Sequence, residues 1–211
     1  MNEEPELTKE EQIRKEKVDK LLEEKEREGY KKSDLTMTVL SANLYAFLIC
    51  IPICLLFVIP FIVLSSGQAH FDFQDSKYLL TLGAFIVSIV IHELIHGFFF
   101  GIFAKSHFKV IEFGVKWKAL TPYCTCLEPV KKGQYLISCM MPGLILGIIP
   151  AIVSLFTKDT YLLLFGCLSI LGAGGDFLIC IKLLFHKTKS KDVLYWDHPY
   201  KVGLMVLEKE Q

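Results

Sequence analysis

The first 34 residues contain no apolar stretch. They hold twelve acids and nine bases, so they lack the short basic start and following apolar core of a secretory signal peptide. No cleavage signal is evident, and the first apolar run is expected to stay as an anchor. Net charge is absent as well, since 23 basic and 23 acidic residues cancel. There is no internal repeat and no low-complexity tract. Cys124 and Cys126 form a C-x-C pair outside the apolar runs, but no second pair completes a metal site around them. Cys50, Cys54, Cys139, Cys167 and Cys180 lie in or near the apolar runs, where a free cysteine behaves as a small apolar residue. Six histidines are too few for the histidine-rich iron centre of the membrane desaturases. Polar residues are nearly missing from two of the apolar runs, which argues against a metal-transport path.

Apolar sequence is what the chain has in abundance. Hydrophobic residues make up 52% of its 211 residues. They are bunched into four runs, Leu40 to Leu64, Leu79 to Ala104, Tyr135 to Phe156 and Tyr161 to Phe185. Each reaches the roughly 20 residues that cross a bilayer. Bases alternate between the connecting segments. Lys77 stands alone between runs one and two, and Lys158 alone between runs three and four. Lys105, Lys109, Lys116, Lys118, Lys131 and Lys132 lie between runs two and three, and Lys187, Lys189, Lys191, Lys201 and Lys209 follow run four. Positive segments stay in the cytoplasm. The expected topology therefore has both termini inside the cell and short turns outside, one of them holding Gly67.

The fold expected is mainly α: a polytopic membrane protein with about four transmembrane helices, a small cytoplasmic β-hairpin and an N-terminal cytoplasmic helix. Residues 1–36 are expected to form the charged cytoplasmic N-terminal helix. Residues 37–211 form the membrane domain, with a cytoplasmic loop 105–133 and a tail 186–211. Thr8-Lys9-Glu10-Glu11 reads as a capping box and Gly29 as a helix end. Between them only Ile13, Val18, Leu21 and Leu22 are apolar, the pattern of a solvated, salt-bridged helix; a membrane-surface or partner-docking helix is the sharper alternative. Phe108 to Leu127 is rich in β-branched and aromatic residues and reads as a hairpin. In the tail, Tyr195 to Tyr200 reads as loop and Val202 to Leu207 as a short strand.

Run two carries His92-Glu93-Leu94-Ile95-His96. At four residues apart both imidazoles lie on one face of a helix, a spacing that lets both bind one Zn²⁺. Zinc lowers the pKa of a bound water, and Glu93, about 100° round the helix, is placed to act as general base. Polar residues inside a membrane also serve as interhelical glue, but each contributes only about 0.6 kcal/mol on average. Inserting a charge costs about 2.5–3.5 kcal/mol even on the lenient scale, so three ionisable groups in five positions point to a site. A third ligand is needed. His107 lies past the span, in a lysine-rich segment. Asp176 is the only acid between Tyr161 and Phe185. Counting back from the ends of runs two and four puts Asp176 at the depth of His92 and His96. Glu93, Gly97 and Gly101 share one stripe of run two, and Ser169, Gly172, Ala173 and Asp176 share one of run four, so the two helices are expected to approach closely through small residues. The glycines of run four also admit a helix break. Met141-Pro142-Gly143 in run three implies a kink or a broken segment beside the site.

Taken together, the His92-Glu93-x-x-His96 helix, the hairpin, the Pro-Gly helix and the glycine-rich helix with Asp176 resemble the bacterial zincin-type membrane peptidases of unassigned role, a family itself similar to the site-2 proteases. The resemblance spans Leu79 to Leu207. It implies His92, His96 and Asp176 as zinc ligands, Glu93 as the catalytic acid-base, and cleavage of membrane or juxtamembrane peptides. Asp176 is followed by Phe177, whereas site-2 proteases carry their aspartate in a longer motif with Asn and Pro before Asp-Gly. The expected cofactor is Zn²⁺ and the expected partners are membrane lipids and a peptide or protein substrate, with no nucleic acid. The competing reading is a membrane scaffold or binding protein that keeps the metal site without turnover.

Overall fold

A computed structural model of the chain describes residues 8–65, 76–116 and 121–210. Gly67 and His70, in the expected outer turn, and Lys118, in the lysine-rich segment, lie outside the described residues.

Helix α1 (Lys9–Arg27) starts with the expected box: the Thr8 hydroxyl accepts from the Glu11 amide at 3.3 Å, and the Glu11 carboxylate accepts from the Thr8 amide at 2.9 Å. The chain leaves it through Gly29 at φ 88°, a left-handed turn that glycine adopts without a Cβ penalty. Strand β1 (Tyr30–Met37) follows. Although the apolar residues of α1 are sparse, Val18, Leu21 and Leu22 suffice to seat it on Trp196, Met205 and Leu207. The helix therefore docks on its own chain.

Helices α2 (Val39–Leu64) and α3 (Ser76–Phe103) have 26 and 28 residues. At 1.5 Å per residue they are roughly 40 Å long, more than the ~30 Å of a bilayer's hydrocarbon. Their outer faces expose Leu40, Leu80 and Val63 at 82%, 74% and 72%, an arrangement that is costly in water and favourable in lipid. Helix α4 (Lys132–Pro142), a π-helical stretch over Gly143–Ile148 and helix α5 (Ile149–Thr157) make one continuous apolar segment of 26 residues. The π-helical stretch lies just after Pro142, whose missing amide already interrupts the regular ladder.

Run four is not one straight helix. Helix α6 (Thr160–Gly172) and helix α7 (Gly174–Phe185) meet at a 53° bend. Gly172, Gly174 and Gly175 weaken the helix there. Among the described residues three helices are long and apolar enough to span a membrane, and a fourth span arises when the bent pair counts as one.

The small residues do not all serve the contact expected of them. A Cβ on Gly97 would lie 2.3 Å from the Phe113 ring, and one on Gly101 would lie 2.4 Å from the Phe108 ring. These glycines thus receive aromatic residues of the hairpin segment, where helix–helix approach was expected. The tight helix contact is elsewhere: a Cβ on Gly166 would lie 2.8 Å from the Ala151 amide and 2.9 Å from the Gly147 carbonyl.

The hairpin pairs β2 (Ile111–Lys116) with β3 (Thr121–Cys126), Ile111 opposite Cys126. A second sheet was not foreseen. Strand β4 (Val130–Lys131), β5 (Val193–Asp197), β6 (Val202–Lys209) and β1 form four antiparallel strands in the order β1-β6-β5-β4. Tyr195 to Asp197 is thus strand, not loop: Tyr195 pairs with Val206 and Asp197 with Leu204. Tyr195 and Trp196 are each 1% exposed, so burial against the helices and α1 decides their conformation. Since β1 precedes the first span and β6 follows the last helix, the chain enters and leaves the helical layer on one side.

Candidate metal centre

Helix α3 stacks His92 and His96 one turn apart, with their Nε2 atoms 3.1 Å from each other. Asp176 stands in the first turn of α7, where a carboxylate is favoured by the helix dipole. Its Oδ2 is 3.0 Å from His92 Nε2 and its Oδ1 is 3.3 Å from His96 Nε2. One ligand atom from each of the three residues falls within 4.8 Å of the others. The bend after Gly172 makes this possible, since it starts a new helix whose first turn aims at α3.

His96 is held from behind. Its Nδ1–H donates to the Ser138 carbonyl of α4 at 2.8 Å, which leaves the Nε2 lone pair facing Asp176 and His92. Cys139, the next residue, brings its Sγ 3.8 Å from Asp176 Oδ1. Tetrahedral zinc with bonds of about 2.0–2.1 Å separates its ligand atoms by roughly 3.3 Å, so spacings of 3.0 to 3.3 Å fit such an ion after small adjustments. Two imidazoles and a carboxylate are also a donor set zinc accepts.

Glu93 lies beside this group, and its carboxylate accepts a hydrogen bond from the Cys124 amide of β3. The hairpin thus sets the position of an acid on α3. His107 is not in the group; it sits on the 3₁₀ turn His107–Val110, its Nδ1 3.3 Å from the Gly101 carbonyl. Cys124 and Cys126 join no metal group among the described residues. Burial pushes the Cys126 thiol up to about 12 and the Cys124 thiol up strongly, which disfavours the reactive thiolate form of both.

A cavity of about 330 Å³ opens from the centre toward the sheets, its walls including Glu93, Asp176, Arg14, Tyr123 and Asp197. Asp197 accepts from the Tyr135 hydroxyl, and from the Thr125 hydroxyl at 3.4 Å. Burial pushes its carboxyl up. A smaller cavity of about 120 Å³ reaches the centre from the helical layer between Phe85, Ile89, Leu146 and Ser169. Sequence reasoning placed the two histidines, Glu93 and Asp176 but passed over Ser138, Arg14 and Asp197. Ser138 acts through its main chain and leaves no side-chain signal. Arg14 is one base among many in a charged helix. Asp197 becomes visible only once β5 is recognised as a strand.

The chain belongs to the family described as "Putative zincin peptidase", whose model matches residues 85–191, half of the chain, including His92, Glu93, His96 and Asp176. Searches of curated proteins and of solved structures gave no match.

Proposed function

We propose that the chain is a zinc-dependent peptidase embedded in the membrane, acting on membrane or juxtamembrane peptides. His92, His96 and Asp176 hold the metal and Glu93 is the general acid-base. The observation that carries this reading is the convergence of Asp176 with both histidines across 84 residues of sequence, with the His96 tautomer fixed by Ser138. Three ionisable groups at membrane depth are costly, and shared coordination of one cation offsets that cost.

Bound zinc supplies a Lewis acid beside the scissile carbonyl. Glu93 removes a proton from the attacking water as its oxygen bonds to the carbonyl carbon. Glu93 then delivers that proton to the leaving nitrogen as the C–N bond breaks. The Cys124 amide keeps the carboxylate aimed at the centre, and Ser138 keeps the His96 lone pair on it. The lysine bias of the segments on the sheet side makes that side cytoplasmic, so the larger cavity opens to the cytoplasm, and both chain ends lie there.

The test is elemental analysis of the detergent-purified chain together with hydrolysis of a degenerate fluorogenic peptide library. The expected result is about one zinc per chain and cleavage by wild type but not by Glu93→Gln. Absence of zinc from wild type, or equal cleavage by Glu93→Gln, would sink the reading. A cysteine introduced at residue 67 should label from outside intact cells; labelling only after lysis would overturn the topology.

A further inference from the structure

The centre's larger cavity has one wall that the peptidase reading does not use. Arg14, from helix α1 and outside the matched residues 85–191, reaches into it. Its side chain is buried at 8% exposure. The guanidinium carbon lies 4.4 Å from the centre of the Tyr123 ring, and Nη2 donates to the Tyr123 hydroxyl. Among the described residues its Nε–H, also buried, has no hydrogen-bond acceptor. One turn along α1, Lys17 pairs with Glu112 of β2 at 2.6 Å, so the helix is fastened to the hairpin at two points and the guanidinium plane is set.

A buried, oriented guanidinium with an unused donor is an incomplete anion receptor. The carboxylates around the cavity are otherwise engaged. Asp176 faces the two histidines, Asp197 takes Tyr135 and Thr125, and Glu93 takes the Cys124 amide. We propose that Arg14 binds a carboxylate of the substrate peptide, either its C-terminal carboxylate or a Glu or Asp side chain, while the scissile bond lies at His92 and His96. A lipid phosphate is the other anion available at a membrane surface. The peptide is favoured because Arg14 and the metal centre share one cavity, so a molecule anchored at the arginine is delivered to the reacting groups. The inference rests on the peptidase reading.

The test uses the zinc-loaded full chain in detergent and a ladder of leucine-like succinyl hydroxamates with increasing glycine extensions. Each rung is made as the free acid, as the C-terminal amide, and as the amide carrying an internal glutamate. Binding is measured by calorimetry. On one rung the free acid or the glutamate amide should bind wild type about tenfold or more tighter than the plain amide, as a charge-assisted hydrogen bond predicts. Which of the two does so identifies the source of the carboxylate. Arg14→Gln should abolish the preference while the plain amide still binds, and Arg14→Lys should keep only part of it. Should Arg14→Gln not fold, the comparison rests on Arg14→Lys. Equal binding of acid, glutamate amide and plain amide on every rung overturns the carboxylate proposal but leaves the metal centre standing. Failure of every hydroxamate to bind wild type overturns the metal centre and this inference with it. Stabilisation by phosphatidylglycerol vesicles that disappears in Arg14→Gln, with no preference for the acid, assigns the arginine to lipid and also overturns it.

Discussion

His96 Nδ1 donates to the Ser138 carbonyl at 2.8 Å, so one imidazole of the centre is oriented by the main chain of a helix that supplies none of its three candidate ligand side chains. The Ser138 hydroxyl itself is buried and has no hydrogen-bond partner among the described residues. Ser138→Ala should therefore keep zinc stoichiometry and leave stability unchanged or raised by up to about 1 kcal/mol, since it removes an unsatisfied buried group. Metal analysis and thermal melting in detergent check it. A loss of zinc would mean that the hydroxyl, not the carbonyl, does the orienting.

Glu93→Gln should keep zinc and lose hydrolysis by about 10²–10⁴-fold, the usual worth of a general acid-base. The amide is nearly isosteric and can still take the Cys124 amide bond. His92→Ala should differ by losing the metal as well. Parallel zinc and turnover measurements separate the two, and a zinc-free but folded Glu93→Gln would make Glu93 a ligand.

Tyr135→Phe should lower stability by about 1–3 kcal/mol, because it removes a donor from a buried carboxylate. The Tyr135 hydroxyl reaches Asp197 across the boundary between α4 and β5. Combining Tyr135→Phe with Asp197→Leu should cost less than the sum of the two. A strictly additive double-mutant cycle would show that the two groups are not coupled.

His198 gives a dependence on pH. Burial holds its pKa down at about 4, against an ordinary value of 6.5. The ring accepts the Lys201 amide at Nδ1, at 3.0 Å, so the folded chain prefers the neutral form. Between these values the unfolded chain binds a proton that the folded chain refuses. The contribution is thus fully present above pH 6.5 and is lost as pH falls toward 4. Melting temperature should fall over that window in wild type and fall less in His198→Asn, whose side-chain oxygen can still accept. Identical slopes would remove His198 as the cause.

Gly166→Leu should destabilise by about 1–3 kcal/mol or more, since backbone atoms of Ala151 and Gly147 already occupy the space. Gly133→Ala in helix α4, with nothing within 4 Å of the added carbon, is the clash-free control and should be stabilising by about 0.4–1 kcal/mol. Equal melting of both variants would show that the α5–α6 contact opens.

Much of this centre was legible because its spacing is local or countable. His92 and His96 declare themselves by a four-residue interval, and Asp176 by its depth and by being the only acid in its run. The capping box at Thr8 and the hairpin over β2 and β3 are local for the same reason. What stayed hidden depends on pairing across long sequence distances. Tyr195-Trp196-Asp197 carries no turn or alternation strong enough to mark a strand, and it becomes one because Leu204 to Val206 lie beside it. The glycines at 97 and 101 were read against the wrong neighbour, since composition tells that a residue is small but not which ring will fill the space. Arg14 needed a three-dimensional neighbour, Tyr123, before it differed from the other bases of α1.

The pairing of β1 with β6 sets an order of events in synthesis. Tyr30 faces Lys209, so β1 must wait for about 180 further residues to be made before its partner β6 exists. At roughly 5–20 residues per second that interval is about 10–35 s, while every apolar helix between them is entering the bilayer. During that time β1 has no partner from the four-stranded sheet, and α1 lacks the Trp196, Met205 and Leu207 surface on which it rests. The histidine helix is therefore in place well before the wall that carries Arg14. A nascent chain has the histidine pair on an unfinished cavity, and the cavity acquires its complete shape only when the β5–β6 hairpin closes over α1.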